Sequence, residues 1–405
     1  MHIRLVFIFM VFFAGCSNTP PPIKANTAPQ QNENSVSGEF TIKIAPSFLS
    51  STPTKGRVFL FLSEEEKGEP RQQIWPLSSK PNHMFAMNVT SLSQTSGIRL
   101  SADSGLITTA SFDLGNIPKG HYSLQVLWDH DTSESQINAP GNLYSVSKKI
   151  EVTENFIESI ELSKRIEPSQ LEAHPLLKKV TIESELLSAF WGRPYFVSAS
   201  VLLPNSYNDN NQQTYPVRYN VAGYGGRFTR ANRLIKSEEF MQWWTSDDAP
   251  QIITVYLDGE GPFGDSYQLD SDNSGPFGQS LITELIPTIE SQYRAKGSAK
   301  YRFTDGCSTG GWVSLALQLF YPDSFNGAFS YSPDSVDFSA YQLADIYTDS
   351  SVFYNKWNNL RPVGRTTNGD PIVTLDNFIQ YENVQGVSND YRTSGGQFSA
   401  HTALY

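Results

Sequence analysis

The stretch that most constrains this chain is Asp305-Gly306-Cys307-Ser308-Thr309-Gly310-Gly311-Trp312. It sets a serine in a Gly-x-Ser-x-Gly frame where two periodicities meet. Residues 301–304 read as a short strand. After Ser308, the residues Trp312, Leu315, Ala316 and Leu319 fall at i, i+3, i+4 and i+7, which predicts a helix with one packing face. Pro322 stops it, and residues 325–330 read as a second strand. A strand that turns sharply into a helix at a serine projects the hydroxyl clear of the sheet. Glycines at 306 and 310 let backbone and helix approach without a Cβ clash. The N–H of Thr309 then lies at a helix N-terminus, where the positive end of the dipole can meet a developing oxyanion. That geometry suits Ser308 as a nucleophile. The same letters also fit a glycine-rich helix start with no chemistry, but strand–turn–helix–strand order favours the nucleophile.

The chain begins with His2 and Arg4, an apolar run over 5–13, and Ala14-Gly15-Cys16. A short apolar run ending in small residues reads as a secretory signal over 1–16, not a membrane span. Phe13-Ala14-Gly15-Cys16 resembles a bacterial lipobox, which implies cleavage before Cys16 and lipidation of its thiol. The alternative is an ordinary signal with an incidental cysteine. Residues 17–37, rich in Pro, Asn, Gln and Ser, read as a solvated tether. In a diderm bacterium, Ser17 after the cysteine resembles outer-membrane sorting. The expected location is therefore the cell envelope, as an outer-membrane lipoprotein facing periplasm or surface.

Residues 38–165 read as an all-β, sandwich-like domain. Strands are expected at 38–44, 56–62, 121–128 and 144–152, split by Gly, Pro and Asn turns. A spacer role is the plain reading of this domain, and carbohydrate binding is the alternative its aromatics allow. Asp129, His130 and Asp131 could suggest a metal site; a polar turn after a strand explains them more simply.

Residues 166–405 read as an α/β domain, a mostly parallel sheet flanked by helices. Strands are expected at 178–187, 195–203, 215–222 and 252–257, a polar rim loop at 263–277, and a helix at 280–293 kinked by Pro287. The 215–222 strand runs into Gly223-Tyr224-Gly225-Gly226. A glycine-rich loop in that place supplies the second oxyanion N–H of an α/β-hydrolase.

Net charge is -11 and no basic run is present, which argues against nucleic acid. Cys16 and Cys307 do not read as a disulfide pair. The six histidines are scattered without metal-ligand spacing, so neither metal nor cofactor is expected.

Tyr215-Pro216-Val217-Arg218-Tyr219 with Gly223-Tyr224-Gly225-Gly226, then Glu284-Leu285-Ile286-Pro287 with Tyr293-Arg294, then Gly306-Cys307-Ser308-Thr309-Gly310-Gly311 together resemble the Putative esterase family, over roughly residues 170–335. That group includes esterase D, enterochelin esterases, feruloyl esterases and mycolyltransferases. The resemblance implies an α/β-hydrolase fold and cleavage or transfer of a carboxylic ester. It implies Ser308 as nucleophile and Thr309 and Tyr224 as oxyanion N–H donors. Asp305 and Cys307 depart from the pattern beside the serine, and the family's acid and histidine have no clear match.

A serine nucleophile needs a base and an orienting carboxylate. The fold order is serine, acid, histidine. His401 is the sole histidine after Ser308 and hence the candidate base, although no buried strand leads into it and a surface histidine is the plainer reading. Asp334 and Asp337 follow the strand after the elbow; either fits the acid, and a turn or cap role fits both. Only residues 371–375 hint at a further strand. The expectation is that the gene product continues past Tyr405 with the missing strands, acid and histidine, and that the chain to Tyr405 exposes an apolar sheet edge and is nearly inactive. The function expected is a lipid-anchored serine esterase acting on a small-molecule or polysaccharide-linked ester. A non-catalytic binding lipoprotein on a hydrolase scaffold and a serine peptidase are the alternatives.

Overall fold

The computed structural model describes residues 34–404 apart from 77–79, 93–96, 132–133, 208–211, 342 and 388–392. The signal reading of 1–16 with Cys16, and most of the tether, lie outside the described residues.

The N-terminal unit holds β1 (Gly38–Ile44), β2 (Gly56–Ser63), β3 (Asn82–Val89), β4 (Gly120–Asp129), β5 (Lys148–Val152) and β6 (Phe156–Leu162). β2 pairs antiparallel with β3 and β4, and β5 extends from β4. A smaller sheet pairs β1 parallel to β6 and antiparallel to Ile98–Leu100. Alternation decides which side chains meet. Phe40 and Ile42 of β1 share a core with Val58, Leu60 and Leu62 of β2 and with Val126 and Trp128 of β4. The opposite face of β2, with Phe59 and Phe61, packs with Met84, Leu127, Tyr381 and Val384. β2 is thus buried on both sides, which its run of apolar residues allows. The strand expected over 144–152 is broken into Leu143–Tyr144 and Lys148–Val152. The break falls at Ser145: its N–H still donates to Val126 O at 2.9 Å, but its Oγ accepts from Val126 N at 3.0 Å and its carbonyl from Gln125 Nε2 at 3.0 Å, so side chains take two places of the ladder.

The second sheet comprises β7 (Leu177–Glu183), β8 (Phe196–Leu202), β9 (Val217–Val221), β10 (Ile253–Leu257), β11 (Arg302–Ser308) and β12 (Gly327–Pro333). Its order is β7-β8-β10-β9-β11-β12. β8 runs antiparallel to β7 and β10, and the remaining pairs are parallel. This is the α/β-hydrolase fold. Among the described residues no strand pairs with the outer edge of β12, whose Phe329 and Tyr331 are exposed.

Several elements differ from expectation. The strand read as 178–187 stops at Glu183, and α1 (Glu185–Trp191) follows. Ser184 caps it, accepting from Leu187 N at 3.1 Å. Glu284 accepts from Leu186 N at 3.0 Å and from Ser184 Oγ, so a distant carboxylate stabilises the helix start. The 280–293 helix is not simply kinked. It passes from α-helix (Phe277–Ser280) through a π turn (Leu281–Leu285) to α-helix (Ile286–Gln292). Pro287 lacks the N–H that would reach Thr283, and the wider turn sends Ile286 N to Leu281 O instead. The 263–277 loop borders the elbow helix as expected, with Tyr267 against Trp312, but it is more ordered than a polar rim: two short ladders fold it, and Tyr267 and Leu269 enter the core. Pro371–Thr374 pairs only with Pro362–Arg365, outside the main sheet.

Three further helices matter to the site: α2 (Thr309–Phe320), α3 (Leu375–Gln385) and α4 (Gln397–Leu404). Val313 and Leu317 of α2 are fully buried in the hydrolase core. Such side chains contribute about 1.5–3 kcal/mol each, which holds α2 down against the end of β11.

Candidate active site

β11 ends at Ser308, whose φ is 60° and ψ -129°. A serine in that region is strained, and strain of this kind persists only where the surroundings enforce it. Here the glycines do so. A Cβ on Gly306 would lie 2.3 Å from Gly310 O, one on Gly310 2.3 Å from Val221 O, and one on Gly311 2.6 Å from Tyr331 O. No side chain fits at any of the three. Asp305, one of the unusual residues, is buried and ties β11 to β9: Arg218 donates to its two oxygens at 2.9 and 2.5 Å, and Asn220 Nδ2 at 3.1 Å. Cys307 is exposed.

Thr309 opens α2, and no side chain caps that N-terminus. Its own hydroxyl donates to Asp334 Oδ2 at 2.6 Å, and Ser308 Oγ donates to Asp334 Oδ1 at 3.3 Å. Gln397, at the start of α4, donates from Nε2 to Asp334 Oδ2 at 3.2 Å and to Thr309 Oγ1 at 3.3 Å. Ser308, Thr309, Asp334 and Gln397 therefore form one hydrogen-bonded group. Of the two aspartates open to the acid or to a turn or cap role, Asp337 is a cap, accepting from Ser339 N at 2.9 Å. Asp334 instead lies on the candidate nucleophile. The available signal was that it is the first carboxylate after the strand following the elbow. Gln397 carried no signal of its own.

His401 is not an incidental surface residue. It sits on α4, half-buried, with its ring centroid 5.9 Å from Trp312, 5.3 Å from Tyr267, 6.1 Å from Phe338 and 6.3 Å from Tyr341. Trp312 lies one turn beyond Ser308 on α2. Burial lowers the imidazole's pKa below its ordinary value, and the Asp334 charge partly opposes the shift. The ring is thus neutral at neutral pH, the form a general base requires.

The 223–226 turn runs against the elbow. A Cβ on Gly223 would lie 3.5 Å from Cys307 O and 3.7 Å from Ser308 Cβ. Gly226 N closes the turn on Gly223 O at 3.0 Å, and Gly225 takes φ 71°, a value glycine adopts without strain. Tyr224 adds a bond the sequence did not suggest: its buried hydroxyl shares its proton between the carbonyls of Gly395 and Gly396, each at 2.8 Å. Asp265 accepts the N–H of Gly225, and burial pushes this carboxyl up to about 7.

Among the described residues no group of three or more His, Cys, Asp or Glu side chains could hold a metal ion. Asp129, His130 and Asp131 form a polar turn: Asn142 Oδ1 accepts from His130 N at 2.9 Å and Asp131 N at 3.0 Å, and Asn142 Nδ2 donates to Asp129 at 2.8 Å.

The model of the Putative esterase family matches residues 195–381, from β8 to α3. That match takes in the 223–226 turn, the elbow at Ser308 and Asp334. No curated protein matches the chain. Solved structures similar to the esterase domain include a ferulic acid esterase at 20% identity, covering 54% of this chain and 74% of that one with a TM-score of 0.35. Another is FphF, a fluorophosphonate-binding serine hydrolase of Staphylococcus aureus, at 13% identity, 44% and 67% coverage and a TM-score of 0.31. A third is an S-formylglutathione hydrolase from Agrobacterium tumefaciens, at 17% identity, 40% and 60% coverage and a TM-score of 0.31.

Proposed function

We propose that this esterase-family hydrolase is a serine esterase that works through an acyl-enzyme on Ser308. The observation that carries the reading is the elbow: a strained serine at a strand end, opening a helix, in a cage of glycines that admits no side chain. Ser308 Oγ attacks the ester carbonyl and its proton passes to His401, which burial keeps neutral. The carbonyl oxygen becomes an oxyanion facing the N–H groups of Thr309 and Tyr224. Expulsion of the alcohol, taking the proton from His401, leaves the acyl group on Ser308. Water then attacks, with His401 again as base, and releases the acid. Asp334 orients the serine and stabilises the imidazolium by its charge. The substrate class is a carboxylic ester, free or linked to a polysaccharide.

Ser308→Ala tests the reading. Hydrolysis of short p-nitrophenyl acyl esters should fall by on the order of 10⁴ or more; unchanged turnover would remove the nucleophile assignment. The lipid anchor is proposed on Cys16. The Cys16→Ser protein should leave the membrane fraction, and its full retention there would end that claim. One observation favours a non-catalytic scaffold as second reading: the Ser308 hydroxyl points its proton at the Asp334 carboxylate, a weak base.

A further inference from the structure

We propose that the N-terminal β unit is a positioning element of the active site: through Glu134 it holds the Arg227 end of the 223–227 turn that presents the Tyr224 N–H, and through Gln136 it holds the Gly395 carbonyl on which the Tyr224 hydroxyl rests. The inference rests on the serine esterase reading. Three consecutive residues make the contacts. Glu134 Oε2 lies 3.1 Å from Nη1 of Arg227, the residue that leaves the turn. The same guanidinium meets Asp258 at 2.7 Å and Glu260 at 3.3 Å, so the turn's end is fastened both to the esterase domain and to the β unit. Gln136 Nε2 donates to Gly395 O at 2.8 Å, and the Tyr224 hydroxyl donates to that same carbonyl at 2.8 Å. Ser135, between them, closes on Gly395: a Cβ there would lie 2.7 Å from Ser135 Oγ and 2.9 Å from Ser135 O, and Gly395 takes φ 68°.

The turn has anchors in its own domain: Tyr224 packs on the hydrolase core and Gly259 N donates to Gly226 O at 3.1 Å. Toward the β unit lies a cleft of about 200 Å³, lined in part by Gln136, Tyr224, Gly225 and Glu382. A close-packed neighbour would resist displacement there; across the cleft, hydrogen bonds and ion pairs do so. On the other side the turn faces the elbow, a Cβ on Gly223 lying 3.7 Å from Ser308 Cβ. Any shift of the turn therefore moves an oxyanion donor relative to the nucleophile, and errors near 1 Å are costly in rate.

The test uses the full chain. Gln136→Ala and the double variant Glu134→Gln/Gln136→Ala are compared with wild type and with Lys148→Ala. Lys148 is the control because its ion pair with Glu158, at 2.8 Å, lies within the β unit and touches neither the turn nor α3 and α4. Amide hydrogen exchange of peptides over 222–228 should quicken about tenfold or more in the double variant, with β11 unchanged. The kcat for p-nitrophenyl acetate should drop by on the order of tenfold to a hundredfold, with KM within about twofold. Lys148→Ala should do neither. Unchanged exchange over 222–228, or equal loosening in Lys148→Ala, overturns the inference. The exchange measurement needs no turnover, so an inactive wild type would sink the esterase reading while exchange still decides this one.

Discussion

Ser308 sits in a backbone conformation that costs on the order of 1–3 kcal/mol, and the residues around it explain why it stays there. Its neighbour Thr309 and Gln397 share Asp334 with it. Ser308, Thr309, Tyr224 and His401 stood out in the sequence as candidates because this fold order leaves few places for a nucleophile, its oxyanion donors and its base. Asp334 was one of two aspartates open to the acid and Gln397 carried no signal, because the contacts that bring them to Ser308 come from tertiary placement that no local pattern encodes. His401 supplies a prediction with a sign. Its folded pKa lies below the ordinary 6.5, so the neutral base is lost only when pH falls beneath that lowered value. The acid limb of kcat/KM should therefore centre below 6.5 and should vanish with the activity in His401→Ala. A pH–rate profile with its acid limb above 6.5, or a His401→Ala protein that keeps the wild-type profile, would remove the base assignment.

At the scale of elements, the elbow works because β11, α2 and β9 approach more closely than side chains permit. Gly310→Ala puts a methyl 2.3 Å from Val221 O, a backbone atom that cannot rotate away. We expect a loss of about 1–3 kcal/mol or more, read as a lower urea midpoint; an unchanged midpoint would mean that the close approach is not as described. Strands with clear alternation or continuous apolar runs, such as Gly38–Ile44 and Ile253–Leu257, were readable to within a residue or two. α1 was misread because Leu186 and Leu187 continue the apolar character of the strand, while its capping partner Glu284 is remote in sequence. α3 was missed because Asp376, Asn377, Gln380, Glu382 and Asn383 dilute its apolar face. What stabilises it is the far face of β2, which local sequence cannot announce. The π turn likewise follows from Pro287 only once the helix is packed.

Across the whole molecule, the N-terminal unit and the esterase domain are joined around the site. Arg57 and Asn82 bind α3, the latter through the Tyr381 hydroxyl at 2.9 Å. Glu382 of α3 then accepts from Phe398 N at 3.0 Å and Ser399 N at 2.8 Å, anchoring the first turn of α4 and with it Gln397 and His401. A β unit that reads as a spacer thus reaches the helix that carries His401 through one intermediary. The most direct measurement is to treat the folded full chain with a fluorophosphonate and locate the adduct by peptide mass spectrometry. The account predicts one covalent adduct, on Ser308, absent from Ser308→Ala. A folded chain that takes up no label, or a label on another residue that persists in Ser308→Ala, would contradict it.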